Sequence, residues 1–477
     1  MKNLVLPRFG TDGVRGRAII EISPEYAIAL GRAVVRVLGC SRLVIAHDPR
    51  LSGPVLEAAF SAGAAAEGAQ VDLLGILPTP AVAVISAREQ VPGVVVTASH
   101  NGYQDNGIKV FAAGGLKVSD EDQQAIEDEV RRLFGVALNG ESLTPGASSP
   151  TESALPTGFI MHRSDAADVY MDHLTSLFPE MSLQGLRVVI DTANGSMSDV
   201  GSQVLERLGA EVIVMNNVPD GTNINENCGA TDPQALSDFV ASVAASNSDA
   251  HSTARLSVDL AFAFDGDGDR LIAVDELGNI INGDRLIALS ALDRHQRGQL
   301  IGDGVVVTVM SNLGFHRAME AAGIEVITTP VGDRSVLEAM AQHGLVLGGE
   351  QSGHIIHRDL ATTGDGLLAA IELALMYRQH HDRDGRSFSN LAQSTLQWFP
   401  QVLRNVPVAR SGIDPAQELA AAIHAEEVAL GRNGRILVRA SGTEALVRVM
   451  VEADHEDRAQ EIAQRLVTLV EAHYSSP

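Results

Sequence analysis

Apolar residues along the chain come in short runs, cut off by small and polar ones. Residues 42–48 (Arg-Leu-Val-Ile-Ala-His-Asp) read as a buried strand, the alanine-rich 54–69 as a helix and 71–77 as a second strand. A helix from Pro24 to about Leu38 is predicted before them, with Ser23 as its cap and Pro24 in its first turn. Strand, helix, strand at this spacing predicts a right-handed crossover in a parallel sheet. Next comes Val94-Val95-Val96-Thr97-Ala98-Ser99-His100-Asn101-Gly102, an apolar run that stops abruptly. It predicts a buried strand delivering a loop at its carboxyl end, where parallel sheets bind ligands. A charged helix over 119–134 follows, capped by Ser119. The chain then turns to Ser, Thr, Pro and Gly over 139–158, the expected linker and first domain boundary.

The pattern recurs twice. Residues 186–191 and 211–215 read as strands around a helix over 200–208, and 304–310 and 324–328 as strands around a helix near 314–322. Three β-α-β units with a polar loop after the first strand predict an internal repeat of one domain type. A Ser-rich stretch at 246–253 reads as an exposed insertion. The last segment differs: a strand at 405–408, a helix from Pro415 to about Leu430, strands at 435–438 and 445–451, and a helix over 456–472. A strand pair joined by a short loop predicts an antiparallel sheet with helices on one side. The expected domains are 1–157, 158–274, 275–390 and a smaller 391–477.

Composition narrows the class. A chain of 477 residues has room for three or four domains, and 45% hydrophobic with 20% charged residues is ordinary for a soluble globular protein. The net charge of -25 argues against general nucleic-acid binding, yet leaves room for a locally positive cleft. Cys40 and Cys228 form neither metal spacing nor disulfide framework, which fits a reducing compartment. No signal-peptide run and no bilayer-length apolar run is present, so a cytoplasmic location without membrane contact is expected.

Four loops carry candidate chemistry. Ser99 has His100 beside it and Lys109 ten positions on, after a second Asn-Gly turn. A serine so placed can be a nucleophile, a phosphate acceptor or a turn residue. Upstream, residues 8–17 set three glycines among Asp12, Arg15 and Arg17, either a plain surface loop or a close approach to a ligand. The second loop, Asp265-Gly-Asp267-Gly-Asp269-Arg270, places three carboxylates at alternate positions. Its spacing approaches an EF-hand, with Glu276 as the twelfth ligand. Arg270, however, sits where that turn needs glycine, and the flanks read as strands. A compact oxygen site with open positions suits Mg²⁺ beside a phosphate; the alternative is a solvated acidic turn, disfavoured by mutual repulsion. The third loop, Gly348 to His354, offers Glu350, Ser352 and His354 to sugar hydroxyls, and a buried polar turn explains it equally well. Residues 330–334 are expected in the same cleft. The fourth, Arg439-Ala-Ser441-Gly442-Thr443-Glu444 with Arg448 beyond, makes a phosphate cradle or an ordinary hairpin.

Together these loops, in this order and spacing, make the chain resemble the α-D-phosphohexomutase family over essentially its whole length. Phe9-Gly-Thr-Asp-Gly-Val-Arg-Gly16, Gln351 and Thr363-Gly-Asp-Gly-Leu367 resemble its amino-sugar members most. The resemblance implies three related α/β/α mixed-sheet domains plus a C-terminal α+β domain of the TATA-binding-protein-like type, around a central cleft. It implies a phosphoserine at Ser99 and one Mg²⁺ per chain, held by Asp265, Asp267, Asp269 and a phosphate oxygen on Ser99. Ser99 would hand its phosphoryl group to a hexosamine 6-phosphate, giving a sugar 1,6-bisphosphate that turns end for end before Ser99 takes back the other phosphate. Its product would feed UDP-N-acetylglucosamine synthesis.

Under that scheme Arg439, Ser441, Gly442, Thr443 and Arg448 dock the distal phosphate, and Glu350, Ser352 and His354 grip sugar hydroxyls. Arg15 and Arg270 stabilise the transferring group, and His100, Lys109 and His354 are proton-transfer candidates. A homodimer and an activating kinase are the expected protein partners. Two departures, Gly102 and Ala445 where proline is common in the family, change loop shape only. The competing expectations are a phosphomannomutase/phosphoglucomutase, a Mg²⁺-dependent phosphatase and a non-catalytic sugar-phosphate sensor.

Overall fold

The computed structural model describes residues 6–10, 13–135, 157–248, 257–409, 413–441 and 445–474. The expected linker at 139–158 therefore lies almost wholly outside the described residues, as do Asp12, Gly442, Thr443 and Glu444. The chain divides into two bodies. One runs to Val309 and takes in Ile327–Ala392; the other joins Met310–Val326 to the chain from Gln393 onward.

The first body begins with an eight-stranded mixed sheet. Gly93–Val96, Arg42–His47, Gln70–Ile76 and Ile160–His162 run parallel, in that spatial order. Asp105–Ala112 pairs antiparallel with Gly93–Val96, and Gly13–Arg17 pairs antiparallel with it in turn. Every residue of Gly93–Val96 is buried, the signature of a strand covered on both faces. Val94 and Val96 join Leu43, Ile45, Ile108 and Val110 in one core under Leu30, Val34 and Phe60 of the covering helices. The first of these, Pro24–Leu38, starts where the sequence predicts: Ser23 accepts a hydrogen bond from the Tyr26 amide, and Gly39 ends the helix in the left-handed conformation. Thr79–Glu89, absent from the predicted elements, is a further helix of this unit.

A five-stranded sheet follows, ordered Glu211–Met215, Arg187–Asp191, Leu260–Phe264, Leu271–Val274, Ile280–Ile281. Leu260–Phe264 and Leu271–Val274 are antiparallel, so the acidic loop is their hairpin connection, flanked by strands as expected. The helix Gln234–Ser248 runs into the stretch read as an insertion from 246; the rest of that stretch, 249–253, lies outside the described residues. A third sheet is ordered Glu325–Thr329, Gly304–Thr308, Leu347–Gly349, Ile355–His357. In the second body Gln401–Pro407, Leu446–Ala453 and Gly434–Ala440 form an antiparallel sheet, packed with Ile462, Leu466 and Val470 of the helix Glu456–Tyr474. The segment read as one helix from Pro415 is two, Pro415–Glu418 and Ala420–Leu430. Among the described residues no helix is long and apolar enough to cross a membrane.

Candidate active site

The first body contains a cavity of about 350 Å³ whose lining includes Arg15, Ser99, His100, Arg270, Glu350 and His354. Three of the four candidate loops thus meet at one place. Gly10, Gly13, Val331, Gly332 and Asp333 line it too, which brings in the glycine-rich segment and the 330–334 stretch. Ser352 is exposed and lies outside that lining. Lys109 is 3% exposed and likewise outside it.

Ser99 follows the Gly93–Val96 strand with φ +51, a left-handed conformation that non-glycine residues adopt only when held. Its amide donates to Thr97 Oγ1 at 2.8 Å, and Thr97 Oγ1 donates to Asp48 Oδ2 at 2.6 Å. Its hydroxyl donates to Asp265 Oδ2 at 2.7 Å. His100 Nδ1 lies 3.5 Å from the same hydroxyl.

The acidic hairpin turns its three carboxylates together. Their oxygens lie within 4.8 Å of one another, and Asp265, Asp267 and Asp269 are all buried. Lys109 Nζ donates to Asp267 Oδ2 at 2.8 Å and to Asp269 Oδ2 at 3.0 Å. Thr79, at the start of the unpredicted helix, donates its hydroxyl to Asp267 Oδ2 at 2.6 Å. Burial, with Asp269 and Asp267 beside it, pushes the Asp265 carboxyl up to about 8. Asp267 Oδ1 is buried with no hydrogen-bond partner. An all-oxygen, mutually repelling donor set with an idle buried oxygen fits a hard divalent cation, so these three residues can hold Mg²⁺. Glu276 does not join them: it accepts from Ser389 Oγ at 2.6 Å and from the Ser389 amide at 3.0 Å.

The two histidines are driven in opposite directions. Burial, then Arg270 and Arg15, push His100 down to about 4, so its imidazole is neutral. Burial also opposes charge on His354, but Asp269, Asp333 and Glu350 outweigh it and raise that group to about 9. Arg270 Nε lies 3.9 Å from both Asp265 and Asp269. Arg15 is steadied by Asn101 Oδ1 at 3.2 Å from its Nη1. Glu350 Oε1 accepts from the Gly332 amide at 3.0 Å, which ties the third loop to the 330–334 stretch.

Arg50, Thr79 and Asn225 are residues around this site that motif reading did not single out. Arg50 is 1% exposed, and its guanidinium donates to the carbonyls of Ser99, Asn101, Gly102 and Asp105. The signal that could have found it is position: His47-Asp48-Pro49-Arg50 ends a strand adjacent to the one that delivers Ser99.

The second body carries the fourth loop. Arg439 and Arg448 face each other as register partners on neighbouring antiparallel strands. Their side chains share a face there. Burial, then the Arg448 charge, lowers the Arg439 pKa, so the pair gains from an anion. The Ser441 amide donates to the Leu446 carbonyl at 2.9 Å.

Four models of the phosphoglucomutase/phosphomannomutase family match in order: α/β/α domain I over residues 7–134, domain II over 168–278, domain III over 282–399 and the C-terminal domain over 403–469. The chain belongs to this family, the α-D-phosphohexomutases, which are isomerases. Within it, the chain is 46% identical to a phosphoglucosamine mutase of Desulforudis audaxviator, over 97% of each chain. It is 45% identical to a phosphoglucosamine mutase of Frankia alni, over 98% of this chain and 99% of that one. The fold matches the crystal structure of a phosphoglucomutase/phosphomannomutase family protein from Burkholderia thailandensis, with TM-score 0.75, 24% identity and 97% of each chain covered. It also matches an Aspergillus fumigatus N-acetylphosphoglucosamine mutase in complex with GlcNAc-6P and magnesium, with TM-score 0.64 and 18% identity, over 99% of this chain and 97% of that one.

Proposed function

We propose that this mutase interconverts glucosamine 6-phosphate and glucosamine 1-phosphate through a phosphoserine at Ser99 and a sugar 1,6-bisphosphate. The observation that carries the reading is the Ser99 hydroxyl 2.7 Å from Asp265, in a cavity that also holds Arg15, Arg270 and two oppositely tuned histidines. The phosphoserine P–O bond breaks as a new P–O bond forms to a sugar hydroxyl, whose proton must leave. In this scheme His100, neutral and 3.5 Å from the Ser99 hydroxyl, is the base and charged His354 the acid; their opposite shifts support that division. Lys109 is occupied with Asp267 and Asp269, so its part is charge balance. Arg15 and Arg270 supply cations to the transferring group. Mg²⁺ held by Asp265, Asp267, Asp269 and a Ser99 phosphate oxygen would offset the −1.5 to −2 charge, roughly, of a phosphoserine. Glu350 and His354 hold sugar hydroxyls, with Ser352, exposed and two residues from each, as the third member of that loop's set.

A sugar that must be read in both directions needs one fixed dock for the phosphate that is not reacting. That role falls to Arg439, Ser441 and Arg448, with Gly442 and Thr443. Arg448→Ala is expected to raise KM for the hexose phosphate about 10- to 100-fold, the worth of a charged hydrogen bond, while Ser99 can still be phosphorylated. Unchanged steady-state kinetics would remove Arg448 from this role.

The domain limits 1–157, 158–274, 275–390 and 391–477, a cytoplasmic location, an activating kinase and a homodimer complete the proposal. Ile19 and Ile20, 44% and 79% exposed, offer an apolar corner to a second copy of the chain. The substrate assignment is tested by turnover on glucosamine, glucose and mannose phosphates side by side. A kcat/KM for glucosamine 6-phosphate at least about tenfold above the others is expected, since a site built for a polar group discriminates through it. A preference for mannose 1-phosphate would assign a phosphomannomutase instead. Steady release of inorganic phosphate without isomerised sugar would make the chain a phosphatase.

A further inference from the structure

The backbone carbonyls of Ser99 and Asn101 are taken by the same two donors, neither of which lines the cavity. Arg50 Nη2 donates to Ser99 O at 2.9 Å and to Asn101 O at 2.8 Å. Asn225 Nδ2 donates to Ser99 O at 2.8 Å and to Asn101 O at 3.1 Å. Arg50 belongs to the same α/β unit as the serine. Asn225 comes from the next one, on a segment whose amide donates to the Ala193 carbonyl at 2.9 Å and whose own φ is +57. Its amide lies against the metal loop. A Cβ built at Gly266 would stand 2.7 Å from Ser99 O and 2.8 Å from Asn225 Nδ2, so that loop approaches the carbonyl this closely only because glycine is there. Asn225 Oδ1 is buried and has no hydrogen-bond partner, so the donor half of the side chain is the half in use.

We infer that Asn225, opposite Arg50, is a positioning residue that clasps the Ser99 carbonyl and keeps the serine seated on the metal loop through both phosphoryl transfers. The inference deepens the phosphoserine reading and rests on it. Ser99 sits at φ +51, where a serine does not stay unless held. Released from one donor, the residue can relax toward negative φ, which swings its Cα–Cβ bond away from Asp265. Asn225 is not among the residues lining the cavity, so the effect must travel through the Ser99 backbone.

The test compares Asn225→Ala with wild type in the full-length protein. We measure kcat, KM for glucosamine 6-phosphate, the Mg²⁺ concentration for half-activation and the intact mass. Asn225→Ala should lower kcat about 10- to 100-fold, the cost of a misplaced reacting group, with KM within about twofold. Half-activation by Mg²⁺ should need about tenfold more metal, because one ligand oxygen rides on the displaced serine. A purely structural role would lower the melting temperature and the active fraction without moving the Mg²⁺ requirement. If Asn225→Ala does not fold, Asn225→Ser serves with the same expectations. Wild-type kcat and Mg²⁺ requirement in a folded variant would overturn the inference. Wild-type protein lacking both a phosphoserine and Mg²⁺ activation would instead overturn the reading beneath it.

Discussion

Ser99→Ala is expected to leave no measurable mutase turnover, a loss of at least about 10³-fold, because Ser99 carries the only hydroxyl side chain among the described residues that line the cavity. The substitution removes one oxygen from a residue 2% exposed. It breaks the bond to Asp265 and leaves the Arg50 and Asn225 contacts, which reach the backbone, in place. The variant should therefore melt near wild type and still bind sugar phosphate, so kcat collapses while binding measured by calorimetry persists. Turnover near wild type would show that the phosphoryl group does not pass through this hydroxyl.

Removal of the metal is expected to have an effect of the same order. Chelation should abolish turnover and Mg²⁺ should restore it. Asp267→Asn should lower kcat by about 10²–10⁴-fold even at saturating Mg²⁺. Asp267 is chosen because its two oxygens do separate jobs. Oδ2 accepts from Lys109 and Thr79, while Oδ1 is buried without a partner. An amide cannot supply both a charged ligand and an acceptor to Lys109, so one fails in either orientation. Circular dichroism should show a folded protein, and metal titration should show weakened binding. A variant that binds Mg²⁺ normally and turns over normally would remove Asp267 from the cage.

Much of the fold was legible because its central strands, such as Gly93–Val96, Leu260–Phe264 and Gly304–Thr308, are buried throughout and therefore appear as continuous apolar runs. The three valines before Thr97 mark both a strand and the loop it delivers. The acidic hairpin was legible because alternate carboxylates between strands have few structural reasons to exist. The helix Thr79–Glu89 was not: Pro78 and Pro80 flank its start, and Ala81, Val82, Ala83, Ile85 and Ser86 are all buried, which blurs the apolar period. The Ser-rich 246–253 stretch misled in the other direction, since the helix Gln234–Ser248 extends into it. Arg50 and Asn225 stayed hidden for a different reason. Their roles consist of bonds to carbonyls 49 to 55 and 124 to 126 positions away, and no local pattern encodes such a bond. The pairing of Lys117 with Asp333, 216 positions apart, is illegible in the same way.

The fourth loop shows where legibility stopped short. Arg439 and Arg448 stand opposed on adjacent strands, an arrangement the short hairpin already implied. Whether they meet a phosphate is a question of binding, which the Arg448→Ala kinetics address.

Charging Ser99 with radiolabelled phosphate, then mixing the protein with unlabelled glucosamine 6-phosphate, tests the shuttle most directly. Label should leave the protein within a single turnover and appear first in the 1,6-bisphosphate, then in glucosamine 1-phosphate. Label that stays on the protein while product accumulates would contradict the scheme.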